Sequence, residues 1–202
     1  MRRATGSIIV LAWLGATLTG LGLLASHAGQ PGASGLVPQE WPAESNIPRA
    51  SDRPTLVMFA HPRCPCTRAS LAELSKVVAR QPEVAVRIVF YRPTAPDSES
   101  WEQTDQVRAA AGIPGALVHW DIDGVEAQRF GAQTSGQALL FGPGGNLLFH
   151  GGLTPARGHV GDNLGSQSLT ALLDGATSVP DCAPVFGCGL QQSAPVQRET
   201  KP

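Results

Sequence analysis

The sequence predicts an α/β domain that follows an apolar N-terminal helix, and three observations lead to this prediction. From residue 54 to about residue 176, short apolar runs rich in β-branched and aromatic residues alternate with stretches of helical periodicity. Two of the later apolar runs are separated only by Gly142-Pro143-Gly144-Gly145, which predicts a β-hairpin. Residues 4–25 contain no charged side chain, which predicts a helix long enough to cross a membrane.

The elements follow one another along the chain in a regular order. Short apolar runs bounded by turn residues predict strands at 55–60, 84–91, 117–120, 137–141 and 146–150. Helical spacing of apolar residues predicts helices at 66–81, 101–111, 124–130 and 164–173. The first of these helices stops before Pro82 and the second stops at Gly112, while residues 92–100 form a polar loop.

Four regions make up the chain: residues 1–28 form an anchor or signal segment, 29–53 a Pro/Gly-rich linker, 54–176 the α/β domain and 177–202 a flexible tail. In the linker, Trp41 is the one large apolar side chain, and we expect it to dock on the domain. With 202 residues, 42% hydrophobic and 15% charged, the chain suits one domain rather than two. A net charge of −1 excludes a nucleic-acid-binding surface.

The N-terminal segment has two interpretations. A helix over residues 4–25 rises roughly 33 Å, enough for a hydrocarbon core of about 30 Å. Because Arg2 and Arg3 precede it, the domain is expected outside the cytoplasmic membrane of a bacterium, on a single-pass anchor. Alternatively, the small residues of Ser26-His27-Ala28 permit cleavage after Ala28, which would release a secreted or periplasmic protein.

Two cysteines occupy the turn between the first strand and the helix after it, in the sequence His61-Pro-Arg-Cys-Pro-Cys-Thr. Proline favours the first helical position, so Pro65 predicts Cys64 as the N-cap and Cys66 in the first turn. Unpaired N–H groups and the helix dipole then favour a Cys64 thiolate, to which Arg63, Arg68 and His61 add positive charge. Cys64 is therefore the predicted nucleophile.

All four cysteines lie on the predicted exported side, where disulfides form. Spacing favours Cys64 with Cys66 and Cys182 with Cys188. A Cys-Pro-Cys ring is small and strained, which suits an easily reduced disulfide or a metal site better than a structural staple. For Cys182 and Cys188, two roles remain possible: a structural disulfide or an electron relay.

The order βαβαβαββα, with a cysteine pair after its first strand, resembles the thioredoxin superfamily. The segments H-P-R-C-P-C-T-R-A-S, T-S-G-Q and R-G-H-V-G-D-N are similar to a membrane-tethered bacterial group labelled RedB. The resemblance implies a mixed sheet flanked by helices, with thiol-disulfide exchange at a helix N-terminus. This chain has one residue between its cysteines where the superfamily usually has two. It also has Thr134-Ser135-Gly136 where a cis-proline usually precedes the hairpin.

In such a fold the loops before and after the hairpin lie at the cysteine end of the sheet. We expect substrate contacts from the cysteine turn and from both loops, specifically from Arg63, Pro65, Thr134, Ser135, Gly136 and Arg157. His159 is a candidate proton donor and acceptor, and His61 a candidate stabiliser of the thiolate. Each of these loop and histidine residues could instead have a purely structural role. In the same loop, we expect Asp162 or Asn163 to cap the last helix.

Three functions compete. The first is a thiol-disulfide oxidoreductase without cofactor, which acts on protein thiols or disulfides through Cys64 and Cys66. The second is copper binding or delivery by Cys64 and Cys66, because close thiolates suit Cu(I), with His61 as the first choice of third ligand and His159 or one tail cysteine as alternatives. This resembles the logic of the Sco copper chaperones. The third, peroxide reduction, also uses a thiolate at a helix N-terminus but does not need Cys66.

Overall fold

The computed structural model describes residues 2–94 and 101–190. Part of the polar loop predicted at 92–100, and the end of the tail predicted at 177–202, therefore lie outside the described residues.

One five-stranded mixed sheet forms the centre of the domain. Its strands are β1 (Thr55–Ala60), β2 (Ala85–Arg92), β3 (Ala116–Ile122), β4 (Gln137–Phe141) and β5 (Leu147–Gly151), in the spatial order β3-β2-β1-β4-β5. Neighbours are parallel from β1 to β3, whereas β4 is antiparallel to both β1 and β5. The sheet is thus mixed and thioredoxin-like, as the resemblance implied.

Five α-helices accompany the sheet: α1 (Arg2–Ala28), α2 (Cys66–Arg80), α3 (Asp105–Ala111), α4 (Val125–Arg129) and α5 (Leu164–Leu173). The single helix predicted at 101–111 is wrong in one respect, because Trp101–Gln103 is a separate 3-10 turn. Thr104 adopts an extended conformation there and its side chain accepts a hydrogen bond from the Val107 N–H. Threonine thus caps a new helix start within the predicted segment.

Strand β1 lies in the middle of the sheet and all six of its residues are buried. Leu56 and Met58 belong to the apolar core on one face, and Val57 and Phe59 to the core on the other. Alternate side chains of a strand point to opposite faces, so both faces of β1 are covered. This position fixes the end of β1, and the cysteine turn after it, at the centre of the sheet edge.

The N-terminal helix stands apart from the core. Residues Gly6–Ala28 have a mean hydropathy of 2.1 and none of this span is buried, so the helix is long and apolar enough to cross a membrane. A signal sequence near the N-terminus can reach the same length and hydropathy.

The linker follows the surface of the domain. The Trp41 ring packs edge-on against Phe130 and Phe141, with ring centroids 5.0 and 5.1 Å apart. Its backbone N–H donates to the carbonyl of Gly145 over 2.7 Å. The predicted docking of Trp41 is confirmed, and it fixes this part of the linker against the hairpin.

The tail also differs from the flexible segment predicted at 177–202. Residues 181–190, here called the tail strap, run along the domain: Cys182 bridges to His150, and Gly189 bridges to Thr134. Three apolar side chains of the strap are buried, namely Val185, Phe186 and Leu190. Burial of these side chains outweighs the proline and glycine content that suggested disorder.

Candidate active site

The cysteine turn connects β1 to α2, and the helix begins at Cys66 as predicted, but its N-cap is one residue later than predicted. Pro65, rather than Cys64, is the N-cap, with φ −63° and ψ −27°, and no side chain caps the helix. The Thr67 N–H donates to the carbonyl of Cys64 over 3.1 Å. Proline already has helical angles and carries no capping group, so the backbone amides of the first turn need another acceptor.

The Cys64 sulfur is that acceptor. It receives hydrogen bonds from the backbone N–H groups of Cys66 and Thr67. The side chain is 2% exposed, so these contacts are shielded from water. A sulfur held by two amides at a helix N-terminus is an environment that favours thiolate.

The sulfur of a third cysteine, Cys188, lies close to those of Cys64 and Cys66. The Sγ atoms of Cys64 and Cys188 are 2.6 Å apart, and the sulfurs of Cys64, Cys66 and Cys188 all lie within 4.8 Å of one another. All four thiols of the chain are free. The spacing argument had paired Cys188 with Cys182. That pairing does not match the structure, because the strap places Cys188 at the cysteine turn and Cys182 exposed beside β5.

The three thiols of this cluster differ in acidity. Burial acts to raise the pKa of Cys64, but hydrogen bonds from Cys188, Cys66 and Thr67 outweigh it and bring the pKa below that of an ordinary thiol. Burial, followed by the charge of Cys64, raises the pKa of Cys66. Burial and the hydrogen bond to Cys64 raise the pKa of Cys188 to about 12. Of the three thiols, Cys64 is therefore the one that ionises most readily.

Backbone contacts hold Cys188 in position. The Ser135 N–H donates to the carbonyl of Cys188 over 2.8 Å, and the Leu190 N–H donates to the carbonyl of Gln133 over 2.9 Å. A Cβ atom on Gly187 would lie 2.0 Å from the Ser135 carbonyl oxygen. Only glycine permits this close approach of the strap to the loop before β4.

Ser135 stands where the superfamily usually has a cis-proline, and the described residues contain no cis peptide bond. Its hydroxyl accepts a hydrogen bond from the backbone N–H of His61 over 2.8 Å and lies 2.9 Å from the Thr67 hydroxyl. Gly136 follows with φ +93°, and a Cβ there would lie 2.5 Å from the Ser70 hydroxyl. Thr134 binds the linker, since its hydroxyl donates to the carbonyl of Ala33. This loop thus ties the cysteine turn to the strap and to the linker.

His61 is packed among aromatic rings. Its ring stacks on Tyr91 at 5.7 Å and meets Trp101 at 5.4 Å, and its Nδ1 accepts the Arg63 N–H. Burial, then the charge of Arg63, lowers the pKa of His61. A neutral imidazole adds no positive charge for a thiolate, so these contacts favour the structural role. The Arg63 guanidinium itself lies 4.0 Å above the Trp101 ring.

The loop after β5 contributes Arg157 rather than His159. The charge of Arg157 lowers the pKa of both Cys66 and Cys188, although other effects outweigh it. Its guanidinium donates to the carbonyl oxygens of Gly187 and Gln30, which connects the strap to the linker. His159 is exposed, and its described contact is with the carbonyl of Arg157. Asn163 caps α5 through its side-chain oxygen, as one of the two predicted alternatives had it.

Sequence reasoning missed one residue of the site and left the position of another open. Gln106 of α3 lies 3.5 Å from the carbonyl of Cys64, and a helical glutamine carries no signal of this placement. Cys188 was predicted to pair with Cys182 or to relay electrons, but its position beside Cys64 was not predicted. The apolar residues around it, Val185, Phe186 and Leu190, were the signal that the segment packs on the domain.

Solved structures show similarity to this fold. An uncharacterized conserved protein from Geobacillus kaustophilus is 20% identical with a TM-score of 0.58, over 82% of this chain and 93% of that chain. A hypothetical protein from Sinorhizobium meliloti 1021 is 22% identical with a TM-score of 0.59, over 82% and 96%. A secreted Mycobacterium tuberculosis disulfide oxidoreductase homologous to E. coli DsbE is 16% identical with a TM-score of 0.45, over 63% and 84%. No family model matches the chain, and no curated protein matches it.

Proposed function

We propose that this protein is a thiol-disulfide oxidoreductase in which Cys64 is the nucleophile. The observation that carries the proposal is the Cys64 sulfur, which accepts the N–H groups of Cys66 and Thr67 at the start of α2 and has a lowered pKa. Thiolate is the attacking form in disulfide exchange. Two further thiols lie within 4.8 Å, so a second sulfur is close enough to form a disulfide with Cys64 and complete a two-electron oxidation.

The substrates proposed are protein thiols or disulfides, and the exchange itself needs no cofactor. Cys64 attacks a partner disulfide and forms a mixed disulfide, and a second thiol of the cluster then releases the partner. The reverse sequence oxidises a partner dithiol. The similarity of the cysteine segment to the RedB-like group supports this assignment.

A redox titration tests the proposal. The full chain, solubilised in a mild detergent, is equilibrated in dithiothreitol buffers of graded potential, and its free thiols are counted by alkylation and mass spectrometry. We expect a reversible two-electron couple that Cys64→Ser removes and Cys182→Ser, at an exposed thiol outside the cluster, retains. A couple that survives Cys64→Ser overturns the proposal.

We further propose that the domain lies on the exported face of a bacterial cytoplasmic membrane and stays attached through α1. The apolar span Gly6–Ala28 and the two arginines before it support this orientation. A variant with Cys182 as its only cysteine tests it, because that side chain is exposed. A membrane-impermeant maleimide should label Cys182 in intact spheroplasts, and the membrane fraction should retain residues 1–28. Labelling only after lysis contradicts the orientation, and a chain that begins at Gly29 contradicts the anchor.

The three-sulfur cluster also favours a second candidate, the binding of Cu(I), which soft thiolate ligands suit. The ligand set would be Cys64, Cys66 and Cys188, with the tail cysteine rather than His61 as the third ligand, since the Nδ1 of His61 accepts the Arg63 N–H. Metal–sulfur bonds of about 2.3 Å place three trigonal ligands roughly 4 Å apart. The 2.6 Å contact between Cys64 and Cys188 is shorter, so these sulfurs have to separate before both bind one ion.

The short contact between the Cys64 and Cys188 sulfurs supports exchange as our first proposal and copper binding as the second. Competition of the reduced full chain with a Cu(I) chelator decides between them. Tight copper retention that falls in Cys188→Ser, together with the absence of a reversible thiol couple, establishes the metal function and excludes exchange.

A further inference from the structure

We infer that Cys188 is the resolving thiol of Cys64, so that the working disulfide joins the cysteine turn to the tail strap rather than Cys64 to Cys66. The inference rests on the proposed function and names the second sulfur of that reaction. It assigns a catalytic role to a residue far from the Cys-Pro-Cys motif.

Distance is the first argument. The Cys64 and Cys188 sulfurs are already 2.6 Å apart, and a disulfide bond is about 2.05 Å long, so bond formation needs a small movement. A bond between Cys64 and Cys66 instead closes a ring across a single intervening residue, Pro65, whose φ is restricted. Of the two partners for Cys64, Cys188 is the one that meets it without distortion of the turn at the start of α2.

The chemistry balances within the cluster and one partner. The Cys64 thiolate attacks a partner disulfide, a bond forms between Cys64 and one partner sulfur, and the other partner sulfur leaves as a thiolate. Cys188 then loses its proton and attacks the Cys64 sulfur, and the bond from Cys64 to the partner breaks. The partner has gained two electrons and takes up two protons as a dithiol, while Cys64 and Cys188 have become a disulfide.

Electrostatics set the order of these steps. Burial, the hydrogen bond with Cys64 and the negative charge of an ionised Cys64 together raise the pKa of Cys188 to about 12, whereas the pKa of Cys64 is lowered, so Cys64 ionises first. Once Cys64 is bonded to the partner, its negative charge is gone, whereas the charge of Arg157 stays beside Cys188 and favours its ionisation. Cys188 thus stays protonated until Cys64 has reacted.

The strap keeps this thiol in reach during the reaction. Ser135 binds the backbone of Cys188 itself, and Arg157 binds the carbonyl of Gly187 just before it. Leu190, which is 1% exposed, anchors the far side in the core next to β4. These contacts fix the backbone on both sides of Cys188. The tail is therefore already ordered, and it does not lose conformational entropy again in each reaction cycle.

Disulfide mapping tests the inference on the full chain in detergent. Trypsin cuts after Arg63 and Arg68 and releases a peptide 64–68 that holds Cys64 and Cys66, while Cys188 lies in the peptide 158–198. In Cys182→Ser, oxidised with trans-4,5-dihydroxy-1,2-dithiane and then alkylated, we expect these two peptides to be joined. The link should survive in Cys66→Ser/Cys182→Ser and vanish in Cys64→Ser/Cys182→Ser.

A disulfide internal to peptide 64–68, with Cys188 alkylated, overturns the inference. That result leaves the proposed function intact if the reversible thiol-disulfide couple is still lost in Cys64→Ser. A couple that persists without Cys64 overturns the function itself, whatever the peptide map shows. The two failures are therefore distinguishable.

A second variant retains every thiol of the cluster and moves only the strap. In Gly187→Ala the new methyl group meets the Ser135 carbonyl, so we expect the linked peptide to be lost and the internal disulfide to replace it. The matched control is Gly144→Ala, where a Cβ meets only the Asn146 side chain at 3.5 Å. An unchanged link in Gly187→Ala contradicts the role of the strap in placing Cys188.

Discussion

The backbone N–H of Ser135 donates to the carbonyl oxygen of Cys188 over 2.8 Å, so the loop before β4 holds the residue that brings a third sulfur to the site. The same serine accepts the His61 N–H with its hydroxyl and thereby also fixes the end of β1. Through its backbone and its side chain, this one residue links the cysteine turn to Cys188, which is 124 positions away from Cys64.

Replacement of Ser135 by alanine should destabilise the domain. The buried His61 N–H loses its acceptor, and a buried unsatisfied donor costs about 1–3 kcal/mol. Chemical unfolding of the full chain in detergent, followed by tryptophan fluorescence, measures the free energy of unfolding. Ser51→Ala, at an exposed serine, should change that free energy by less than about 0.5 kcal/mol. Equal stabilities of the two variants contradict the role assigned to the Ser135 hydroxyl.

Removal of the Cys188 thiol should raise the pKa of Cys64. The S–H of Cys188 is the strongest of the hydrogen bonds that lower this pKa, and its loss leaves burial, which raises it, less opposed. In a Cys66→Ser background, the rate of iodoacetamide alkylation of Cys64 should therefore have its midpoint at higher pH after Cys188→Ala. Cys182→Ala is the control and should leave the midpoint in place. A midpoint that falls after Cys188→Ala contradicts the assigned hydrogen bond.

Replacement of Arg157 by glutamine should raise the pKa of Cys66. The guanidinium charge now favours the Cys66 thiolate, so its removal makes ionisation harder. In a Cys64→Ser background, the alkylation midpoint of Cys66 should shift to higher pH. Arg68→Gln provides the comparison, because that side chain is 75% exposed and pairs with Asp105. If both variants shift the midpoint equally, a general change in net charge, and not the position of Arg157, is responsible.

Loss of the cap on α5 should lower stability without changing the site. The Asn163 side chain accepts the Ser166 N–H at 2.8 Å and donates to the Leu153 carbonyl, so Asn163→Ala should cost about 1–2 kcal/mol of unfolding free energy. Gln167→Ala, on the exposed face of the same helix, should be close to neutral. The midpoint potential of the thiol-disulfide couple in Asn163→Ala should match that of the unmodified chain. A shifted midpoint potential would show that the start of α5 influences the cysteines, which contradicts the prediction.

Much of the architecture was predictable from local patterns. Strand β1 and helix α5 begin and end at the predicted residues, because a continuous apolar run and an uninterrupted helical period leave little choice of boundary. The split at Thr104 was not predicted, since a threonine inside a helical pattern becomes a cap only when the preceding turn packs elsewhere, as Trp101 does against His61. Docking of Trp41 was predicted because it is the one aromatic side chain of the linker.

The sequence by itself determined that Cys64 lies at the start of a helix, because strand, proline and helix periodicity are local patterns. Which thiol accompanies it was decided only by the tertiary structure. Spacing along the chain paired Cys188 with its neighbour Cys182, whereas burial of Val185, Phe186 and Leu190 carries Cys188 across the domain to Cys64. Apolar burial acts between segments remote in sequence, and no local pattern specifies the partner it selects.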